Sequence, residues 1–269
     1  MPRRTRSGRG SAAAALHGSD RACHDVSVEP HPDLTAQYAA DTAKPRFLMD
    51  LFDHGARHYA RAERIVSLGS GFLYRKKALE RAGLRAGMRV LDVATGTGLV
   101  ARAALHLGVA PGDLIGLDPS AGMLREAGHP MPFRAVRGVA DALPFADASF
   151  DFLCMGFALR HVTDLATTFA EYRRVLRPGG TLLVLEISRP SSAIGYRIAK
   201  AYLQQVVPFV TWLGTRDDGA ELMMRYYWHT IDACVPPQII LDAMGGAGLR
   251  VAPRTTYLGL FSEYVGARP

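Results

Sequence analysis

The residues best equipped for chemistry lie between Val90 and Asp118. The stretch VLDVATGTG (90–98) is an apolar strand running into a glycine-rich turn, and a second apolar segment ends on Asp118. Such a turn lets backbone N–H groups approach a ligand closely, and an acid closing the next strand can accept both hydroxyls of a ribose. Asp92 sits on the strand, and Ala94, Gly96, Thr97 and Gly98 form the turn. The chemistry suggested is that of a bound nucleotide.

The turn alone leaves the nucleotide open. Gly96, Gly98 and Ala101 also satisfy a G-x-G-x-x-A dinucleotide pattern, with Asp118 at a suitable distance for a nicotinamide cofactor. Asp92 argues the other way. A carboxylate inside the motif suits the ammonium of a methionine moiety and a cationic sulfonium, whereas it repels a pyrophosphate.

Two later blocks narrow the choice: GVADALPFADASFD (138–151) and EYRRVLRPGGTLLVLE (171–186). Following VLDVATGTG in this order, they resemble the class I S-adenosylmethionine-dependent methyltransferases. The resemblance implies that Asp92, Ala94, Gly96, Thr97, Gly98, Asp118, Pro119, Val139, Ala140 and Gly156 surround S-adenosylmethionine. The plainer role for Asp118 is to cap the helix that follows it.

The elements that must position these residues alternate. Apolar segments at 88–93, 114–117, 133–137, 150–155 and 181–187 read as strands, with helical patterns between them. Asp164 is placed to cap a helix whose inward residues are Leu165, Phe169, Tyr172 and Val175. Residues 249–251 and 257–265 read as two closing strands. The expected fold is α/β and Rossmann-like: a mostly parallel, seven-stranded sheet with helices on both faces. Its ligand should sit at the carboxyl ends of the strands, where the motif residues fall. Residues 190–235 break the alternation. Rich in Met and aromatics, they are expected to form a helical lid whose inner face, with Met223, Met224, Tyr226, Tyr227 and Trp228, sets substrate choice. Residues 44–269 would form this one domain.

A closer resemblance extends over roughly residues 47–266. Phe52, Ala56, Tyr59, Ser67, Gly69, Tyr74 and Arg75 match one pattern, and Ala158-Leu159-Arg160-His161-Val162-Thr163-Asp164 another, of the ubiquinone/menaquinone-biosynthesis C-methyltransferases. His161 stands where that family has Asn, Ala60 where it has Asp, and Val139 where a polar residue commonly meets the adenine. Membership implies methyl transfer to carbon of a lipophilic aromatic or quinone-type small molecule. O- or N-methylation of another metabolite, a nicotinamide-dependent oxidoreductase and a catalytically silent cofactor-binding protein are the alternatives.

Methyl transfer from a sulfonium needs alignment and exclusion of water, and no metal. C-methylation of a phenol or quinol is helped by a base that takes the ring hydroxyl proton. His161, titrating near neutrality and following the fourth strand, is the candidate base, or simply a loop residue in place of Asn. Arg160 either orients an acceptor oxygen or pairs with an acid. Tyr59 either closes over the cofactor or belongs to the core.

Composition limits the partners. The 269 residues are 48% hydrophobic, with no apolar run long enough to span a bilayer. The net charge is +7, but residues 1–21 alone carry five arginines against Asp20. No basic stripe with interleaved aromatics appears in the body, so no nucleic acid is expected. Residues 1–43 read as a disordered basic tail. Cys23, Cys154 and Cys234 suggest neither a disulfide framework nor a metal site. The expected setting is the cytoplasm, with peripheral membrane contact and a homodimer both compatible.

Overall fold

The computed structural model describes residues 27–32, 44–127, 133–216 and 218–269. A long helix α1 (Lys44–Val66) and α2 (Gly71–Arg81) precede the sheet. Then β1 (Val90–Val93), α3 (Leu99–His106), β2 (Leu114–Asp118), α4 (Ala121–Ala127), β3 (Arg134–Arg137), β4 (Phe150–Gly156), α5 (Leu165–Val175) and β5 (Leu176–Ile187) follow in alternation. Helices α6 (Ala193–Ala201), α7 (Val207–Thr215), α8 (Asp218–Ala233) and α9 (Pro237–Gly246) lead to β6 (Arg250–Val251), β7 (Thr255–Tyr257) and β8 (Phe261–Ala267).

The sheet runs β3-β2-β1-β4-β5-β8-β6, with β7 also paired to β8. The first five strands pair in parallel, and β8 enters antiparallel beside β5. The chain therefore reverses direction between β1 and β4, and the carboxyl ends of these two strands open into a crevice. Strand β1 and the central stretches of β4 (152–155) and β5 (182–185) are mostly apolar and buried on both faces, as a helix-covered parallel sheet requires. One core layer packs α1–α3 and the 190–235 helices on the sheet, and the other packs α5 and α9 on the opposite face.

Among the described residues the sheet has the expected seven strands on its path, with β7 as an eighth beside β8. Residues 257–265 are not one strand, because Leu258 and Gly259 adopt positive φ (54° and 65°) and turn the chain between β7 and β8. Local polar chemistry sets α5 as expected: the Asp164 carboxylate accepts a bond from the Thr167 N–H at 2.7 Å.

The same carboxylate corrects the reading of the amino-terminal tail. Most of residues 1–43 lie outside the described residues, but 27–32 are docked. The Val28 N–H donates to Asp164 Oδ1 at 2.6 Å, the Leu165 N–H donates back to the Val28 carbonyl at 3.0 Å, and the Val235 N–H donates to the Pro30 carbonyl at 2.8 Å. Backbone pairing, which hydrophobic periodicity does not register, holds this segment in place.

Candidate active site

Two adjoining cavities open at the carboxyl ends of β1, β2 and β4. The larger, of about 480 Å³, is lined by Ala94 and Gly96 after β1, by Asp118, Pro119 and Ser120 after β2, by Val139–Asp141, and by Gly156–Ala158 and His161 after β4. Phe52, Tyr59 and Leu48 of α1 and Tyr227 of α8 cover it. Its size falls in the range of cofactor sites. Ala94 and Phe157 both adopt positive φ, 54° and 63°, just beyond the ends of β1 and β4. Such strain in non-glycine residues clusters at functional sites. Gly98, at φ 77°, starts α3 in a left-handed conformation that glycine adopts without cost.

Asp118 is the polar anchor. It is 6% exposed, and its two oxygens accept the Gly96 N–H at 2.8 Å and the Ser120 N–H at 2.9 Å. The carboxylate thus ties the glycine turn to the end of β2. Each oxygen keeps a second lone pair for a ligand hydroxyl. Burial pushes its pKa up to about 6 against the lowering effect of both N–H donors. Asp53 of α1 completes this corner by accepting bonds from the Ser120 hydroxyl and from the Gly122 N–H at 2.8 Å. A Cβ at Gly122 would lie 2.8 Å from the Asp53 carbonyl oxygen, so glycine there lets α1 sit against α4.

The structure places Asp92 apart from the cavity. It is fully buried beneath the turn and absent from the cavity wall. Its Oδ2 accepts the Thr95 hydroxyl at 2.6 Å and the Ala101 N–H at 3.1 Å, while Oδ1 faces the Cys154 thiol at 3.5 Å. Burial raises its pKa to about 6. Asp92 thus braces the turn from below. Thr97 and Gly98 also lie behind the wall.

The smaller cavity, of about 200 Å³, is bounded by Tyr59, Glu63, Tyr74, Arg75, Met224 and Tyr227, with Tyr257, Leu258 and Phe261 of the β7–β8 hairpin. Tyr59, Phe157 and Tyr227 line both cavities and form the wall they share. Glu63 and Arg75 pair at 2.6 Å, and the Arg75 guanidinium lies 4.8 Å over the Phe157 ring. Arg75 Nε is buried and has no hydrogen-bond partner among the described residues. Burial raises the Tyr59 and Tyr227 phenols above the ordinary tyrosine value, so both keep their protons at neutral pH.

Of the three catalytic candidates, His161 and Tyr59 reach the site and Arg160 does not. His161 lines the larger cavity between Phe52 (5.4 Å, edge-on) and Tyr226 (5.8 Å, stacked). Arg160 is fully buried in an ion pair with Glu186 at the end of β5. Its Nε donates to the Thr230 hydroxyl at 3.0 Å, and its guanidinium lies 4.1 Å over the Tyr227 ring. It therefore fastens α8 to the sheet and holds Tyr227 at the shared wall. The lid expectation needs the same revision. Met224 and Tyr227 line a cavity, but Met223, Tyr226 and Trp228 complete the core.

Glu29, Asp53, Glu63 and Ser120 escaped the sequence reading. Glu63, one turn after Tyr59, carried a usable helical signal. Glu29 reaches the larger cavity through the docked 27–32 segment and carried none.

This sheet, with an acid-anchored glycine turn at its crevice, defines a class I S-adenosylmethionine-dependent methyltransferase. The larger cavity suits that cofactor: Asp118 offers a buried acceptor for a ribose, and apolar Val139, Ala140 and Pro119 border it. Residues 40–249 match the model of the ubiE/COQ5 methyltransferase family, and the chain belongs to it. It is 32% identical over 225 residues to the demethylmenaquinone methyltransferase of Thermus thermophilus, covering 81% of this chain and all (100%) of that one. It is 33% identical over 215 residues to the ubiquinone/menaquinone biosynthesis C-methyltransferase UbiE of Hahella chejuensis, covering 77% and 85%. Its fold matches an S-adenosylmethionine-dependent methyltransferase of Thermotoga maritima, described as a possible histamine N-methyltransferase, with TM-score 0.58 and 20% identity over 82% and 100% of the two chains.

Proposed function

We propose that this enzyme methylates a ring carbon of a reduced, quinone-type lipophilic aromatic, with S-adenosylmethionine in the larger cavity and the acceptor ring in the smaller. The shared wall of Tyr59, Phe157 and Tyr227 carries the reading, because methyl donor and acceptor must meet across one short gap. Bound there, S-adenosylmethionine supplies an electrophilic methyl group on a sulfonium with a neutral leaving group. Asp118 holds the ribose hydroxyls, and the apolar walls of the smaller cavity exclude water. Arg75 Nε is oriented by the Glu63 pair and offers an N–H to an acceptor oxygen. His161, on the wall of the larger cavity, takes the proton of a ring hydroxyl that reaches past the shared wall, and so makes the neighbouring carbon nucleophilic. The phenols of Tyr59 and Tyr227, holding their protons, donate to oxygens and do not compete as bases.

The test is incubation with methyl-labelled S-adenosylmethionine and reduced demethylmenaquinone, followed by mass spectrometry and NMR of the product. A methyl group on ring carbon supports the reading. A methyl ether, or transfer only to amines, overturns it.

A further inference from the structure

The stretch from α6 through α7 is a continuous helix with two apolar faces. A π-helical turn at Tyr202–Val206 joins the two segments. Ala199, Leu203, Val207 and Thr211, spaced by four, are buried against the domain. Ile194, Ile198, Val206, Phe209 and Leu213 are exposed, at 72%, 64%, 45%, 60% and 49%. These five recur in steps of four, eight, three and four, and the wider π turn keeps them in register across the junction, so they form one stripe opposite the buried face. From Ile194 to Leu213 the stripe runs roughly 30 Å at the usual helical rise. An apolar row of this length facing water marks an interaction surface.

Charge indicates the partner. Residues 187–216 contain Arg189, Arg197, Lys200 and Arg216 and no acid. Arg189 lies 4.4 Å over the Tyr196 ring and 3.7 Å from Asp232, and Arg216 lies 4.9 Å over Trp212. Arg197 and Lys200 are exposed on α6 itself. An apolar stripe whose own helix carries the cations Arg197 and Lys200 and no acid, the nearest in the chain being Glu186 before it and Asp217 after it, is the pattern of a helix lying in the headgroup region of an anionic bilayer. Among the described residues no helix is long and apolar enough to cross one. The helix that carries the stripe is also tied to the end of α1 that leads to the smaller cavity. The Tyr202 hydroxyl donates to the Ile65 carbonyl at 2.9 Å, two residues before cavity-lining Ser67; Leu68, next in the chain, and cavity-lining Leu258 stand 82% and 94% exposed.

We propose that the α6–α7 helix is a peripheral docking surface for anionic lipid bilayers, seating the mouth of the smaller cavity against the membrane. The surface is independent of which acceptor is methylated.

Vesicle flotation of the full chain tests it, using phosphatidylglycerol–phosphatidylcholine vesicles beside vesicles of phosphatidylcholine alone. The wild type should float with the anionic vesicles, and binding should weaken as salt is raised. Ile198→Glu/Phe209→Glu should lower partition about a hundredfold with thermal midpoint and S-adenosylmethionine affinity unchanged. If that variant fails to fold, Arg197→Gln/Lys200→Gln, which touches no apolar residue, should lower binding to anionic vesicles about tenfold and leave phosphatidylcholine binding alone. Wild-type partition that ignores lipid charge overturns the proposal. So does a variant that binds vesicles normally but changes from dimer to monomer, which would assign the stripe to a second copy of the chain.

Discussion

Replacing Asp118 with alanine should weaken S-adenosylmethionine and S-adenosylhomocysteine alike. The carboxylate is buried, and each oxygen already holds one backbone N–H, Gly96 on one side and Ser120 on the other. Two charge-assisted bonds to a ribose are lost on truncation, and two backbone donors lose their acceptor. With part of this recovered by water, the cost is about 2–3 kcal/mol, a drop in affinity of roughly 30- to 150-fold. Asparagine rescues poorly, because its NH2 would face one of the two N–H donors. The same group sets a pH dependence. Burial raises the free-enzyme pKa of Asp118 to about 6, and the ionised form is the one that accepts the ribose hydroxyls. Affinity is therefore full above that pH and falls as pH drops through it, by about tenfold one unit below. Calorimetry in buffers of different ionisation enthalpy should detect proton release on binding near the pKa, absent in Asp118→Asn. Equal affinity of wild type and Asp118→Ala, or wild-type affinity unchanged by acid, would refute the assignment.

Asp92→Asn should keep cofactor affinity and lie within about 1 kcal/mol of wild-type stability, because one amide oxygen can still accept from Thr95 and Ala101; Asp92→Ala, which strands both donors, should cost about 2–4 kcal/mol. A large affinity loss in Asp92→Asn by calorimetry would restore the ammonium-binding role. Trp228→Ala, at a side chain 2% exposed, should lose about 3–5 kcal/mol in denaturant unfolding, whereas Tyr227→Phe should leave the thermal midpoint in place and raise the acceptor KM. Removal of residues 1–26 should leave S-adenosylmethionine affinity unchanged, while removal of 1–32 should cost about 2 kcal/mol of stability, since the hydrogen bond to the Asp164 carboxylate and the backbone bonds from Leu165 and Val235 go with it. Equal melting of the two truncations would show that the docked segment contributes nothing.

The sheet was legible because its evidence is local. Buried parallel strands are continuous apolar runs, the Asp164 cap precedes a periodic helix, and the glycine turn has few alternative conformations. Asp118 was legible for the same reason, as an acid closing a strand one helix after the turn. The placement of Asp92 was not legible, because sequence shows that a carboxylate lies inside the motif but not which side of the turn it faces; Thr95 and Ala101 draw it underneath. Arg160 turns on Glu186, a partner 26 residues away that pairs with it only once β4 and β5 lie side by side. In α8 the periodicity marks an apolar helix without saying that Tyr227 faces ligand space while Tyr226 and Trp228 face the core. Glu29 reaches the cavity through backbone pairing of an otherwise featureless segment, a long-range contact with no local signature.

A crystal structure with S-adenosylhomocysteine tests the central claim most directly, that donor and acceptor meet at the wall of Tyr59, Phe157 and Tyr227. The ribose hydroxyls should lie within hydrogen-bond distance of Asp118, and the sulfur should point through that wall toward Glu63 and Arg75. A ribose held elsewhere, or a sulfur directed away from the smaller cavity, would contradict the account.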